Sequence, residues 1–151
     1  MGLDMYLKES VFVRRDFEKE KRVKTFAINE YKQKISFNLD ELSEIILLRG
    51  YWRKANAIHE WFIDNCNDGV DDCSPFSVEK ESLLELLSIC KEVKENIALA
   101  PDLLPTIEEF FFGDTPYGDN YLCDLNDTIE IIEDLNLQKD ICRDFIYRAS
   151  W

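Results

Sequence analysis

The chain's only histidine, His59, closes the run Tyr51-Trp52-Arg53-Lys54-Ala55-Asn56-Ala57-Ile58-His59. Read as part of a helix from about Trp52 to Cys66, this run places Arg53, Lys54, Asn56 and His59 within two turns. Asn56 then shares a face with His59 or Glu60 by i, i+3 and i, i+4 spacing. Two cations, an amide and an imidazole can together receive an anionic ligand, so Trp52, Arg53, Lys54, Asn56 and His59 form the densest candidate binding site. The competing assignment is packing: Trp52, His59 and Phe62 point inward, a backbone or carboxylate partner satisfies His59, and Arg53 and Lys54 solvate the helix. A Ser/His/Asp or Cys/His nucleophile would have to be assembled in space, because no GxSxG or catalytic-cysteine signature is present. No catalytic residue is assigned. The P-loop, GxGxxG, HExxH and zinc-finger spacings are all missing, and no cofactor is expected.

Three further groups carry chemistry. Asp64-Asn65-Cys66-Asn67-Asp68-Gly69 has Asp at positions one and five and Gly at six of a calcium loop, but Cys66 stands at position three and Pro75 at twelve. The bidentate Glu is lost, so the EF-hand reading fails. Asp68, Asp71 and Asp72 still cluster enough oxygen for a looser Mg²⁺ or Ca²⁺ site, although helix capping and loop hydration explain them more simply. Phe110 to Tyr121 combines five aromatics with Gly113, Asp114, Gly118 and Asp119. Three successive phenylalanines cannot all point one way, which makes Phe111, Phe112 and Tyr117 candidates for a partner-binding or ligand-covering loop; anchoring of the loop in the core uses the same residues. Asp127, Glu130, Glu133 and Asp134 follow helical spacing and form an acidic interaction face.

The elements that must position these groups change character along the chain. Leu3, Met5 and Leu7, then Val11 and Val13, Val23 to Ile28, and Ile35, Phe37 and Leu39 read as strands by period-two alternation. The charged interval from Arg15 to Lys24 reads as a solvated turn. From Asp40 to Gly50 the spacing of Leu42, Ile45, Ile46 and Arg49 predicts a short helix, capped by Asp40 and ended by Gly50. A long helix is expected from Ser77 to about Ala98, with Leu83, Leu84, Leu86, Leu87, Cys90, Val93 and Ile97 facing a core and Ser77 as cap. A third covers Tyr121 to Leu135, with Leu122, Leu125, Ile129 and Ile132 inward and Asp124 among the outward acids. Cys142 to Trp151 reads as a final strand, paired beside an N-terminal strand. The expected architecture is α+β: a mainly antiparallel sheet from the N-terminal strands plus the C-terminal strand, with three to four helices packed on it, in one domain spanning 1–151.

Composition sets the outer limits. The chain has 151 residues, 46% apolar, and its 19 aromatics argue against disorder. No apolar run approaches the roughly 20 residues of a membrane span, and the start lacks the basic and apolar segments of a signal peptide, so a soluble cytoplasmic protein is expected. The net charge of −13 is uneven. Residues 1–59 carry 12 Lys/Arg against 9 Asp/Glu, whereas residues 60–151 carry 6 against 22. Direct nucleic-acid binding is disfavoured, because such affinity comes largely from Lys and Arg displacing counterions. A dense carboxylate surface can instead attract a basic protein groove, although keeping the protein soluble explains the same charge more simply. The five cysteines, an odd number without a CxxC pair, are expected as reduced structural thiols, with Cys66 and Cys73 the only pair close in sequence.

Several strings distributed over almost the whole chain carry a resemblance: Met1-Gly2-Leu3-Asp4-Met5-Tyr6-Leu7, the run from Tyr51 to His59, Asp68-Gly69-Val70-Asp71-Asp72-Cys73, Leu103-Leu104-Pro105-Thr106, Phe110-Phe111-Phe112-Gly113 and Ser150-Trp151. Together they resemble a family of small uncharacterised proteins encoded by bacteriophages and prophages. The resemblance implies a phage-associated protein in the host cytoplasm whose partner is a host or antiphage-defence protein. The leading expectation is therefore a noncatalytic inhibitor, for example of anti-CRISPR type, whose acidic surface attracts a basic partner and can mimic nucleic acid. The alternative is a small-molecule or nucleotide-binding protein, or a hydrolase, that uses Arg53, Lys54 and His59.

Overall fold

The computed structural model describes residues 2–12, 25–28, 34–37, 43–107, 117–139 and 143–151. Its main sheet has four antiparallel strands in the order β4-β1-β6-β5, formed by β1 (Asp4–Phe12), β4 (Glu44–Arg53), β5 (Phe76–Val78) and β6 (Arg143–Ser150). β2 (Thr25–Ile28) and β3 (Lys34–Phe37) make a separate two-stranded antiparallel ladder. Among the described residues four helices complete the α+β architecture: α1 (Asn56–Cys66), α2 (Lys80–Glu95), the single turn α3 (Ala100–Leu103) and α4 (Asp119–Asp134). None of the described helices is long and apolar enough to cross a membrane.

Alternation along β1 buries Met5 and Leu7 on one face, with Leu3 just before the strand also buried, and the same face of β6 buries Phe145, Tyr147 and Ala149. The pairing of β1 with the C-terminal strand is as expected, with Leu7 opposite Tyr147 and Met5 opposite Ala149. Against this face pack Ile58 and Phe62 of α1, Leu83, Leu86 and Val93 of α2, and Leu125 and Ile132 of α4.

The largest departure from the sequence reading is β4. The helix expected from Asp40 to Gly50 is absent over its described part, and Glu44 to Gly50 are strand instead. An unbroken apolar run such as Ile45 to Leu48 fits either period, and tertiary pairing with β1 decides it. Asp40, its expected cap, lies outside the described residues, as do Val13 and the interval from Arg15 to Lys24. Of the strands expected early in the chain, β1 joins the main sheet while β2 and β3 do not, and their place is taken by β4.

Other boundaries move for local reasons. Trp52 and Arg53 end β4 rather than opening a helix, and Lys54 makes the turn at φ 62°. α1 then starts without a side-chain cap, so no residue pattern marks its beginning. Ser77 belongs to β5, and α2 begins three residues later. It ends at Glu95, where the Asn96 side chain accepts from the Ala98 backbone N–H and starts a 3-10 turn. Ile97 is consequently exposed rather than inward.

At Gly50, in β4, a side chain does not fit. A Cβ there would lie 2.8 Å from Ile131 Cγ2 of α4 and 2.9 Å from the Trp52 ring. The glycine therefore ends no helix; it lets α4 approach β4. Replacing it with Ala is expected to lower unfolding free energy by about 1–3 kcal/mol, the usual cost of overpacking. Combining Gly50→Ala with Ile131→Ala, which removes the clashing methyl, should cost less than the sum of the two single changes in denaturant titrations.

Candidate functional site

His59 lies on α1 and is fully buried. Its Nε2 is 3.0 Å from Asp71 Oδ2 and its Nδ1 is 2.8 Å from the Tyr147 hydroxyl. An ionised Asp71 only accepts, so Nε2 carries a proton; in the neutral ring Nδ1 accepts the Tyr147 O–H. Asp71 uses its other oxygen to accept from Trp151 Nε1–H at 3.3 Å. The result is a polar chain from Tyr147 through His59 and Asp71 to Trp151, joining β6, α1, the loop before β5 and the C-terminal residue.

This chain is sealed on its inner side. The Tyr147 ring stacks on Phe62 at 4.3 Å between centroids and meets Phe76 at 5.2 Å. Burial, with the Asp71 charge adding to it, raises the Tyr147 phenol well above its ordinary pKa, so it stays a donor. The arrangement has the residue types of a general-base relay, but both imidazole nitrogens are engaged and neither ring opens to solvent. In this arrangement it satisfies a buried imidazole and ties the Asp71 loop to α1 and β6.

The other residues of the expected basic site do not converge on His59. Trp52 is buried, with its ring edge-on to Phe62 and its Nε1–H donated to Thr128 Oγ1 at 2.9 Å. Asn56 is buried at the start of α1. Arg53 and Lys54 are exposed, with Arg53 Nε 4.0 Å from Asp4. The helical spacing that grouped them is not formed: Arg53 ends β4, Lys54 makes the turn, and His59 is buried on α1.

The acidic loop is likewise divided. Asp71 serves His59, Asp72 accepts from the Ser74 backbone N–H at 2.9 Å, and Asp68 takes a turn conformation at φ 51°. The Ser74 hydrogen bonds hold the Asp72 carboxyl below its ordinary pKa. Among the described residues no group of three His, Cys, Asp or Glu side chains could hold a metal ion. Cys66, Cys73, Cys90 and Cys123 are free thiols, and burial pushes Cys90 up to about 12; Cys142 lies outside the described residues. Phe111 and Phe112 do too. Tyr117 packs edge-on against Tyr121 at 5.1 Å, and its hydroxyl accepts from the Thr106 N–H at 3.4 Å.

The acidic face of α4 is assembled as spaced. Asp127, Glu130, Glu133 and Asp134 are all exposed, and Asp119, Asp127, Glu130 and Asp134 follow one outward line. Glu133 is paired with Lys91 of α2 at 2.5 Å. Asp124, expected outward, is instead partly buried, and desolvation followed by the Asp127 charge raises its carboxyl to about 7.

The residue pattern held one further signal. Glu9 continues the period of Leu3, Met5 and Leu7 and is buried among them. A register shift between Leu7 and Lys8 leaves Arg49 as the extra residue on β4, and this bulge brings Arg49 Nε within 2.5 Å of Glu9 Oε2. Arg143 Nη1 reaches Glu9 Oε1 at 3.2 Å from β6. One carboxylate thus holds two guanidinium groups across three strands.

No protein-family model, curated protein or solved structure matches this chain.

Two measurements check the site. Tyr147→Phe leaves His59 Nδ1 without its phenol partner, and a loss of about 1–3 kcal/mol in unfolding free energy with the fold retained is expected. For Asp124, the folded state binds the proton more tightly than the unfolded chain. Its stabilising contribution is full below about pH 4 and is lost as pH rises through about 7. The stability of Asp124→Asn relative to wild type should therefore improve from pH 4 to pH 7 and level off above.

Proposed function

We propose that this chain is a noncatalytic binding protein that engages a basic protein surface through the exposed carboxylates of α4. The observation that carries this reading is the charge of that helix: six Asp or Glu and no Lys or Arg in sixteen residues, with Asp127, Glu130 and Asp134 turned outward. Its last turn contains Glu133 and Asp134 and no basic residue. Lys91 offsets Glu133, whereas an exposed acid such as Asp134 at a helix C-terminus opposes the macrodipole at a cost of about 0.3–1 kcal/mol. A carboxylate set against its own helix dipole suits a binding surface better than it suits the stability of the helix.

The resemblance to phage and prophage proteins supports a bacterial host or antiphage-defence protein as the partner. Inhibition by occupying a groove that otherwise holds nucleic acid suits a row of carboxylates, because such a groove is already lined with Lys and Arg. The alternative of a ligand or hydrolase site at Arg53, Lys54 and His59 draws no support from the positions of these residues.

The test is affinity capture from a bacterial lysate by the wild type and by the Asp127→Lys, Glu130→Lys, Asp134→Lys triple variant, with folding checked by circular dichroism. The wild type should retain a protein at low salt and release it near 1 M salt, where the screening length falls to about 3 Å. The folded triple variant should retain none. Equal capture by both proteins would refute the proposal.

A further inference from the structure

We propose that a cavity at the β5–β6 edge of the sheet binds a small phosphate monoester, independently of the α4 face. The cavity has a volume of about 520 Å3 and is bounded by β5, the start of α2, the chain that follows α4, and the first residues of β6. Cavities of about 300–1,000 Å3 are the range that holds small organic ligands.

Charge distribution singles this cavity out. Residues 60–151 contain six Lys/Arg against 22 Asp/Glu, yet three of those six, Lys80, Lys139 and Arg143, line this one space. In a chain of net charge −13 anions are repelled at long range, so a site for one requires a local excess of cations. Glu79 and Asp144 also line the cavity. Three cations face these two carboxylates, and Glu9, the carboxylate that holds Arg143, is itself shared with Arg49.

The two kinds of cation suit different tasks. Arg143 is already fixed: beyond Glu9 it donates to the Leu135 and Asn136 carbonyls at 2.8 and 2.9 Å, so its charge needs no ordering when a ligand arrives. Lys80 and Lys139 are exposed, and lysine acts on phosphate as a mobile point charge. Lys80 also opens α2, whose N-terminus has no side-chain cap and whose positive dipole end is partly offset by Glu81 in the first turn. Val78, Leu137 and Phe145 supply buried apolar surface for the organic part. Glu79, Asp144 and Gln138 can accept hydrogen bonds from its hydroxyl or amino groups, which inorganic phosphate cannot exploit to the same extent.

Amide chemical shifts recorded by NMR during titration with adenosine monophosphate, adenosine and inorganic phosphate test the proposal. Adenosine monophosphate should move the amides of residues 77–80, 138 and 139 saturably and bind more tightly than inorganic phosphate, while adenosine leaves them in place. The Lys80→Ala, Lys139→Ala double variant should weaken the nucleotide at least tenfold with the remaining spectrum unchanged, and Lys91→Ala should leave its affinity at the wild-type value. Absence of saturation by the nucleotide, an equal response to adenosine, affinity no better than that of inorganic phosphate, or undiminished binding by the folded double lysine variant would each overturn it.

Discussion

The close approach of α4 to β4 at Gly50 is the constraint on which the arrangement of the helices depends. Ile131 occupies the space a side chain would take at Gly50, and one residue pair further along Trp52 donates its indole N–H to Thr128. The Thr128 hydroxyl in turn donates to the Asp124 carbonyl at 2.6 Å. These contacts fix the rotation of α4 about its axis, which buries Leu125, Ile129 and Ile132, leaves Asp124 half-covered and turns Asp127, Glu130 and Asp134 to solvent. The C-terminal end of the same helix is held by Arg143, which donates to the Leu135 and Asn136 carbonyls left open there. The acidic surface is therefore set by a glycine, a tryptophan and an arginine that lie outside α4.

Two polar clusters are built into the interior, and they work by different physics. At His59 every group is satisfied without requiring a net buried charge on the ring: the phenol donates, the imidazole passes the direction of donation on, and Asp71 receives it near the surface. Such a network joins elements by direction and loses heavily if one member is removed. At Glu9 the charges are formal and the balance is electrostatic, because a carboxylate buried beside Leu7 would be costly without its two arginines. The β-bulge that brings Arg49 into position also breaks the regular alternation of β4, so the ion cluster and the strand irregularity are one feature.

The separation of charge along the chain acquires a spatial meaning in the fold. Carboxylates of the second part are displayed along α4, while half of that part's Lys and Arg residues surround the cavity beside β5 and β6. β4 carries a different surface: Ile46, Leu48 and Tyr51 are exposed on it, and Arg53 is exposed at its end. An acidic helix packed against β4 and a cation-lined cavity at the other edge of the sheet give the molecule chemically distinct regions built on one hydrophobic core.

The α+β class, the strand character of β1 and β6 and their pairing, the core stripe of α2 apart from Ile97, and the outward carboxylates of α4 apart from Asp124 were legible in the sequence, because alternation and helical spacing are local. Asp127, Glu130, Glu133 and Asp134 could be placed on one helix surface from spacing alone. The strand β4 could not, since Ile45 to Leu48 satisfies both periods and only the partner strand chooses between them. For the same reason the basic group at Arg53, Lys54 and His59 dissolved: one side of a shared helix turned out to be a strand end, a turn and a buried face. Asp71, Tyr147 and Trp151 meet around His59 from positions 12 to 92 residues away, and Lys80, Lys139 and Arg143 meet across three segments. Spacing determines which residues share an element; only packing of the elements decides which side chains share a site.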